Sequence, residues 1–190
     1  MSDKEYHNFK ELEQHEVGNY TIDCTDRGAN ITIIAPHGGR IEPRTDVIAK
    51  AIAGYNLNYY GFIAERGNVK GRNMNLTSHN FDEPIALELV RKSKIVIAIH
   101  GCKDVQDKKN YGKHIFIGGL DKDLKDTLEK ALLKAGLSIN REKFAGKEKG
   151  NICNQGTRDK GVQFELTKSF RNDAALCEKF ISTVSHCLKI

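Results

Sequence analysis

Proline is scarce in this 190-residue chain, three against 17 glycines, and neither residue falls in a repeat. A collagen-like or low-complexity disordered chain is thereby excluded. Long apolar runs are missing as well. The longest, Ile95-Val-Ile-Ala-Ile99, is far short of the roughly 20 residues of a membrane span. The opening MSDKEYHNFKELEQHE has no apolar stretch of the kind a secretory signal needs, so a chain made in the cytosol is expected. Nowhere do five Lys or Arg fall together, and the net charge of +5 is spread along the sequence. That surplus fits a plain solvated surface and the steering of an anionic partner equally well. Cys-x-x-Cys is absent. The five cysteines (Cys24, Cys102, Cys153, Cys177, Cys187) are odd in number and irregularly spaced, which argues for reduced thiols and against a disulfide framework or a thiolate zinc site. Cys102, two residues after His100, reads as a small packing residue. No Gly-x-Ser-x-Gly elbow, Gly-x-Gly-x-x-Gly or Gly-x4-Gly-Lys-[Ser/Thr] loop occurs, and His15-Glu16 lacks the second histidine of a zincin helix.

What is present is a single-domain pattern. A content of 39% hydrophobic residues over 190 allows one ordinary core. Residues 1–190 read as one domain, with a loosely packed, partly helical stretch over residues 1–18. Tyr20 to Cys24 and Ile31 to Ala35 are β-rich runs around Thr-Asp-Arg-Gly-Ala-Asn, read as a hairpin. A helix follows from Thr45 to Ala53, capped by Thr45 or Asp46 and stopped by Gly54. Leu57 to Ala64 is a strand, Arg66 to Arg72 a polar loop, and Pro84 opens a helix to Arg91. Lys94 to Ile99 is a buried strand, Ile115 to Ile117 another, and Asp121 to Ala135 an amphipathic helix ended by Gly136. Leu137 to Ile139 reads as a short strand, Lys143 to Lys160 as a loop, Val162 to Thr167 as a strand and Asn172 to Leu188 as a final helix. Alternating strands and helices give an α/β fold, a three-layer sandwich around a mixed, largely parallel sheet. Ligands in such sheets sit beyond the carboxyl ends of the strands.

Two strand ends carry histidine. His37 lies in Pro36-His-Gly-Gly39 with Glu42 close behind it, and His100 ends the Ile95–Ile99 run. Two histidines and a glutamate are a standard zinc set that leaves a fourth position open. Either histidine alone is an ordinary loop residue; together, with a carboxylate, they are a candidate metal centre. His7, His15, His79, His114 and His186 read as surface or edge residues. Glu165 stands in the apolar strand Gly161-Val-Gln-Phe-Glu-Leu166. There it is either an edge residue facing water or a paired, metal-linked or catalytic carboxylate, because an isolated buried charge is too costly.

Five ordered segments make the chain resemble the phage-type poly-γ-glutamate hydrolases, short relatives of the zinc carboxypeptidases and of succinylglutamate desuccinylase. They are Ala35-Pro-His-Gly-Gly-Arg-Ile-Glu-Pro43, Thr77-Ser-His-Asn-Phe-Asp-Glu-Pro84, Ile99-His-Gly101, Asn151-Ile-Cys-Asn154 and Gly161-Val-Gln-Phe-Glu-Leu166, within a resemblance running from about Tyr20 to Arg171. The resemblance implies a zinc-carboxypeptidase-like fold and one Zn2+ per chain held by His37, Glu42 and His100. Glu165 is implied as general base, in zinc-dependent hydrolysis of γ-glutamyl amide bonds. It further implies an endo-acting, phage-encoded enzyme that degrades a host capsule polymer and is released by lysis. The partner expected is that anionic polymer alone, with no nucleic acid or membrane, and the enzyme is expected as a monomer. Four residues separate His37 from Glu42, against two in the carboxypeptidases, and the longer spacing is that of the poly-γ-glutamate group. In that group a His is expected where Asn75 stands and an Arg where Gln155 stands, so Arg158 is the candidate to replace the guanidinium. Arg66, Arg72 and Arg158, with Asn154, are candidate substrate-binding residues, Arg being suited to bidentate carboxylate binding. Two other readings stay open: a zinc amidohydrolase or carboxypeptidase acting on a small N-acyl amino acid or peptide, and a non-enzymatic nucleic-acid-binding protein.

Overall fold

A computed structural model describes residues 4–65, 72–74 and 76–188. In chain order the elements are β1 (Lys4–Glu5), α1 (Phe9–Glu16), β2 (Tyr20–Thr25), β3 (Ile31–Gly39), α2 (Thr45–Ala53), β4 (Asn58–Ala64), β5 (Arg72–Asn73) and α3 (Pro84–Arg91). They continue with β6 (Ile95–Cys102), β7 (Val105–Gln106), β8 (Lys109–Asn110), β9 (Ile115–Gly118), α4 (Lys122–Lys134), β10 (Ile139–Asn140), β11 (Val162–Thr167), α5 (Lys168–Arg171) and α6 (Ala174–Leu188). Seven strands form the main sheet in the order β10-β9-β11-β6-β3-β4-β2. The central strands β11, β6, β3 and β4 run parallel, while β2 and β9 join antiparallel. This is the expected α/β sandwich with a mixed, largely parallel sheet.

Strand side chains alternate between faces, and here the alternation separates two apolar cores. Ile33, Ile97, Ile99, Phe164 and Leu166 face a layer made by α2, α4 and α6, where Ile48, Ile52, Leu128, Leu132, Phe180 and Val184 complete one core. Ile34, Val96 and Ala98 face the opposite way, toward Phe9, Leu12, Ala86, Leu89 and Val90 of α1 and α3. His100 and Glu165 fall on this second face by parity, and they are register partners across β6 and β11.

Four expectations are corrected. The Tyr20–Ala35 region is no hairpin, because β4 lies between β2 and β3 and pairs with both. Asn58 at the start of β4 organises the connection: its side-chain oxygen accepts from the N–H groups of Arg27 and Ala29 at 2.8 and 3.1 Å, and its amide donates to the Ala29 carbonyl at 2.8 Å. The N-terminal stretch is packed, since Tyr6, Phe9 and Leu12 are buried and the Tyr6 hydroxyl donates to Glu16 at 2.7 Å. Polarity there lies on the outer face of α1, while its Phe9/Leu12/Glu16 stripe closes the second core. His114, taken for a surface or edge residue, is buried, its Nδ1 2.6 Å from the Ser138 hydroxyl and its ring between Tyr111 and Phe116. Helix α2 also starts differently. Arg44, in the left-handed region at φ 77°, takes the cap position, leaving the Thr45 hydroxyl to donate to the Glu42 carbonyl at 2.8 Å and Asp46 to accept from the Gly39 N–H at 3.2 Å.

Candidate metal centre

Chain crossovers leave β3 toward β4 and leave β6 toward β11, so the border between β3 and β6 is a topological switch point, the place where open α/β sheets hold ligands beyond the strands' carboxyl ends. The two strands pair only from Ile31/Ile95 to Ile34/Ala98. Beyond that, β3 follows β4 alone, with a register shift between Ala35 and Gly38, and His37 and His100 occupy the parting. Gly39 permits this exit. Its φ is +66°, and a Cβ there would stand 2.3 Å from the Ala64 carbonyl oxygen.

The turn after β3 explains the long His37–Glu42 spacing. The Glu42 N–H donates to the His37 carbonyl at 2.9 Å, closing the loop so that the Glu42 carboxylate returns to the imidazole. One carboxylate oxygen lies 2.9 Å from His37 Nδ1; the other accepts from the Gly101 N–H at 2.8 Å and lies 3.5 Å from His100 Nδ1. The two Nδ1 atoms are 3.2 Å apart. One ligand atom from each of the three residues thus falls within 4.8 Å of the others.

The donor chemistry fits a metal ion. His37 Nε2 is within hydrogen-bond distance of the Leu76 carbonyl, and a carbonyl can only accept. In the neutral ring Nδ1 therefore carries a lone pair, aimed at a carboxylate and a second imidazole nitrogen. A carboxylate and the His37 lone pair, with His100 Nδ1 able to present a second lone pair when its Nε2 carries the hydrogen, are a cation site by complementarity. Without the ion the group relies on a proton. Burial works against ionised Glu42, but the charges and hydrogen bonds of His37 and His100 prevail and hold its carboxyl at about 2. Burial likewise disfavours charged His37, but Glu42 and the Leu76 carbonyl raise its pKa.

Glu165 is partly buried beside His100. Burial and the nearby Glu42 charge push its carboxyl up to about 8, against the opposing pull of His100 and Arg171. Arg171, which sequence reasoning missed, is buried under the cluster. Its guanidinium donates to the backbone carbonyls of Leu166 at 3.0 Å, Pro43 at 2.5 Å and Cys102 at 3.3 Å, tying together the ends of β11, β6 and the Glu42 loop. The available signal was an Arg one helical turn past a buried strand, next to Phe170. Burial, with Glu165, Glu42 and Asp104 nearby, drives the Cys102 thiol upward, so it stays protonated and carries no nucleophilic thiolate.

The structure does not bring the substrate-binding candidates Asn154 and Arg158 to this cluster. Asn154 is buried, its oxygen accepting from the N–H groups of Leu120 and Gly161 and its amide donating to the carbonyls of Gly146 and Glu148. Every polar atom of that side chain already holds the loop together. Arg158 pairs with buried Asp121 at 3.1 Å; its neighbour Thr157 bonds Ser93, at the amino end of β6 and remote from His100. Gln155 donates to the Gly150 carbonyl at 2.8 Å within the same loop. Arg66, Asn75 and the side chain of Arg72 lie outside the described residues.

Comparison with known proteins places the chain. The family model described as poly-γ-glutamate hydrolase matches residues 6–182. The SPbeta prophage-derived UPF0714 protein YoqZ of Bacillus subtilis (strain 168) is 32% identical over 174 residues, 88% of this chain, and this chain spans 60% of its length. UPF0714 protein YndL of the same organism is 30% identical over 172 residues, 87% of this chain and 65% of the relative. Among solved structures, a bacteriophage poly-γ-glutamate hydrolase aligns with TM-score 0.86 at 24% identity, covering 96% of this chain and 95% of its own. A zinc-free, apo YndL aligns equally well, with TM-score 0.86, 24% identity and coverage of 97% and 96%. At these identities the structural likenesses establish the fold. The family match, spanning nearly the whole sequence and all three converging ligands, makes the chain a member of the poly-γ-glutamate hydrolase family.

Proposed function

We propose that the chain hydrolyses γ-glutamyl amide bonds of poly-γ-glutamate with a zinc ion held by His37, Glu42 and His100. The observation that carries this reading is the convergence of those three ligand atoms, with Glu165 on the adjacent strand in register with His100. Membership of the family and the zinc-free state named for YndL support the choice of substrate and metal. When bound, zinc supplies Lewis acidity toward the amide carbonyl and a water. Glu165 takes the proton of the attacking water and delivers it to the leaving amine. Its raised pKa belongs to the metal-free cluster, and an added dication favours the carboxylate that a base requires. Arg171 fixes the strand ends beneath these groups, and the buried wall around His37 and His100 keeps competing water away from the ligands. The finer reading is internal cleavage of a capsule polymer by a phage-derived enzyme, and the prophage origin of YoqZ supports the phage derivation alone.

The test is the size and viscosity of poly-γ-glutamate after treatment, with and without a chelator. Cleavage that a chelator stops and zinc restores is expected, with products of mixed length if attack is internal. Glu165→Gln should keep zinc and lose about 10²–10⁴-fold in rate, whereas His37→Ala and His100→Ala should lose the metal. Full activity of metal-free protein would exclude the zinc reading. Hydrolysis of an N-acylglutamate with the polymer left intact would move the substrate to small amides.

A further inference from the structure

Each ligand histidine offers its second ring nitrogen to the same short segment. His37 Nε2 faces the Leu76 carbonyl, and His100 Nε2 lies 3.3 Å from the Ser78 hydroxyl. We propose that residues 76–78 form one shared bracket for both histidines, and that Ser78 is a positioning residue for metal binding. This rests on the metal-centre reading above.

The segment is well anchored. Leu76 is buried in the second core. The Ser78 carbonyl accepts from the Ile152 N–H at 3.0 Å, and the Asn80 N–H donates to the Thr77 carbonyl at 2.8 Å, making a turn. Phe81 sets its ring edge-on to His37 at 6.2 Å and also packs against Tyr60 and Phe62. Glu83 then caps α3 by accepting from the N–H groups of Ile85 and Ala86. A bracket held at both ends fixes what it touches. The Leu76 carbonyl selects the His37 tautomer with hydrogen on Nε2. The Ser78 hydroxyl, free to rotate, accepts the Nε2–H of His100 once Nδ1 is needed as ligand. Outer hydrogen bonds of this kind orient the ring and raise the basicity of the ligating nitrogen, and their loss costs about 10–100-fold in metal affinity. Leu76 acts through its backbone, so Ser78 is the one side chain through which the bracket can be tested.

The experiment uses full-length protein stripped of metal, titrated with zinc against a competing chromophoric chelator. Ser78→Ala should bind zinc about 10–100-fold more weakly, and Ser78→Thr, which keeps the hydroxyl, should bind close to wild type. Nitrogen-15 spectra of the His100 ring in the zinc-loaded protein should show a protected Nε2–H in wild type and a faster-exchanging one in Ser78→Ala. Unchanged zinc affinity in Ser78→Ala would overturn the proposal. So would an affinity loss matched by a lower melting temperature in chelator, which marks a general structural role. If the wild type itself binds no zinc, the metal-centre reading fails first, and that outcome is separate from equal binding by wild type and Ser78→Ala.

Discussion

At the scale of single residues, the site depends on a cation that touches no ligand. Arg171 lies under Gly101, where an added Cβ would stand 2.6 Å from the guanidinium carbon, so the backbone of β6 passes directly over the charge. Three carbonyls from three segments share that guanidinium. Arg171→Met should leave them without a donor and destabilise the protein by roughly 2–4 kcal/mol, a chemical-denaturation measurement. Arg171→Lys should recover part of this, because an ammonium cannot reach three acceptors in a planar fork. Equal stability of Arg171→Met and wild type would show that solvent or the neighbouring backbone replaces the fork. Single residues are also where the sequence was most and least readable. His37, Glu42, His100 and Glu165 stood out because metal-ligating types sat at the ends or interior of apolar runs. Arg171 and Ser78 did not, since their roles come from neighbours up to 128 residues away, as with the Arg171–Pro43 bond.

At the scale of elements, the parting of β3 from β6 seats the ligand cluster, and glycine makes the parting possible. Gly39→Ala combines a left-handed backbone with a Cβ overlapping Ala64, and should cost more than about 2 kcal/mol in stability while weakening metal binding. Unfolding and zinc titration of one variant measure both. If stability falls with zinc affinity unchanged, the exit of β3 does not set the ligand geometry. Most elements were legible because period-2 apolar runs and capped amphipathic helices are local signals; Asp121, for instance, accepts from the Leu124 N–H at the start of α4. The supposed hairpin failed for the opposite reason. Both β2 and β3 have strand chemistry, but their partner is chosen by Asn58 and the β4 edge, which no local pattern reveals.

At the scale of the whole molecule, the metal-free cluster ties stability to pH. A carboxyl near 4.3 in the unfolded chain and about 8 for Glu165 in the folded one means that the folded state binds more protons between those values. Stability therefore falls as pH rises across that window. The raised His37 works in the same direction, its contribution present below about 6.5 and lost as pH climbs through the folded value. Glu42 works oppositely, stabilising above about 4.3 and losing that contribution as pH falls toward about 2. Melts in chelator should show a more stable protein at pH 5 than at pH 8.5, and Glu165→Gln should flatten part of the decline. An undiminished decline in that variant would remove Glu165 ionisation as its cause.

The sequence alone determined the α/β layering, since apolar alternation and helix stripes are written in neighbouring residues. It also singled out His37, Glu42, His100 and Glu165 as candidates, because those types are conspicuous where they stand. Only the tertiary structure decided that Glu165 and His100 are register partners, that Asn154 and Arg158 hold loops away from the cluster, and that Arg171 and the 76–78 segment support it. Strand order, register and buried hydrogen bonds between distant segments are properties of the packed chain, and no local pattern encodes them.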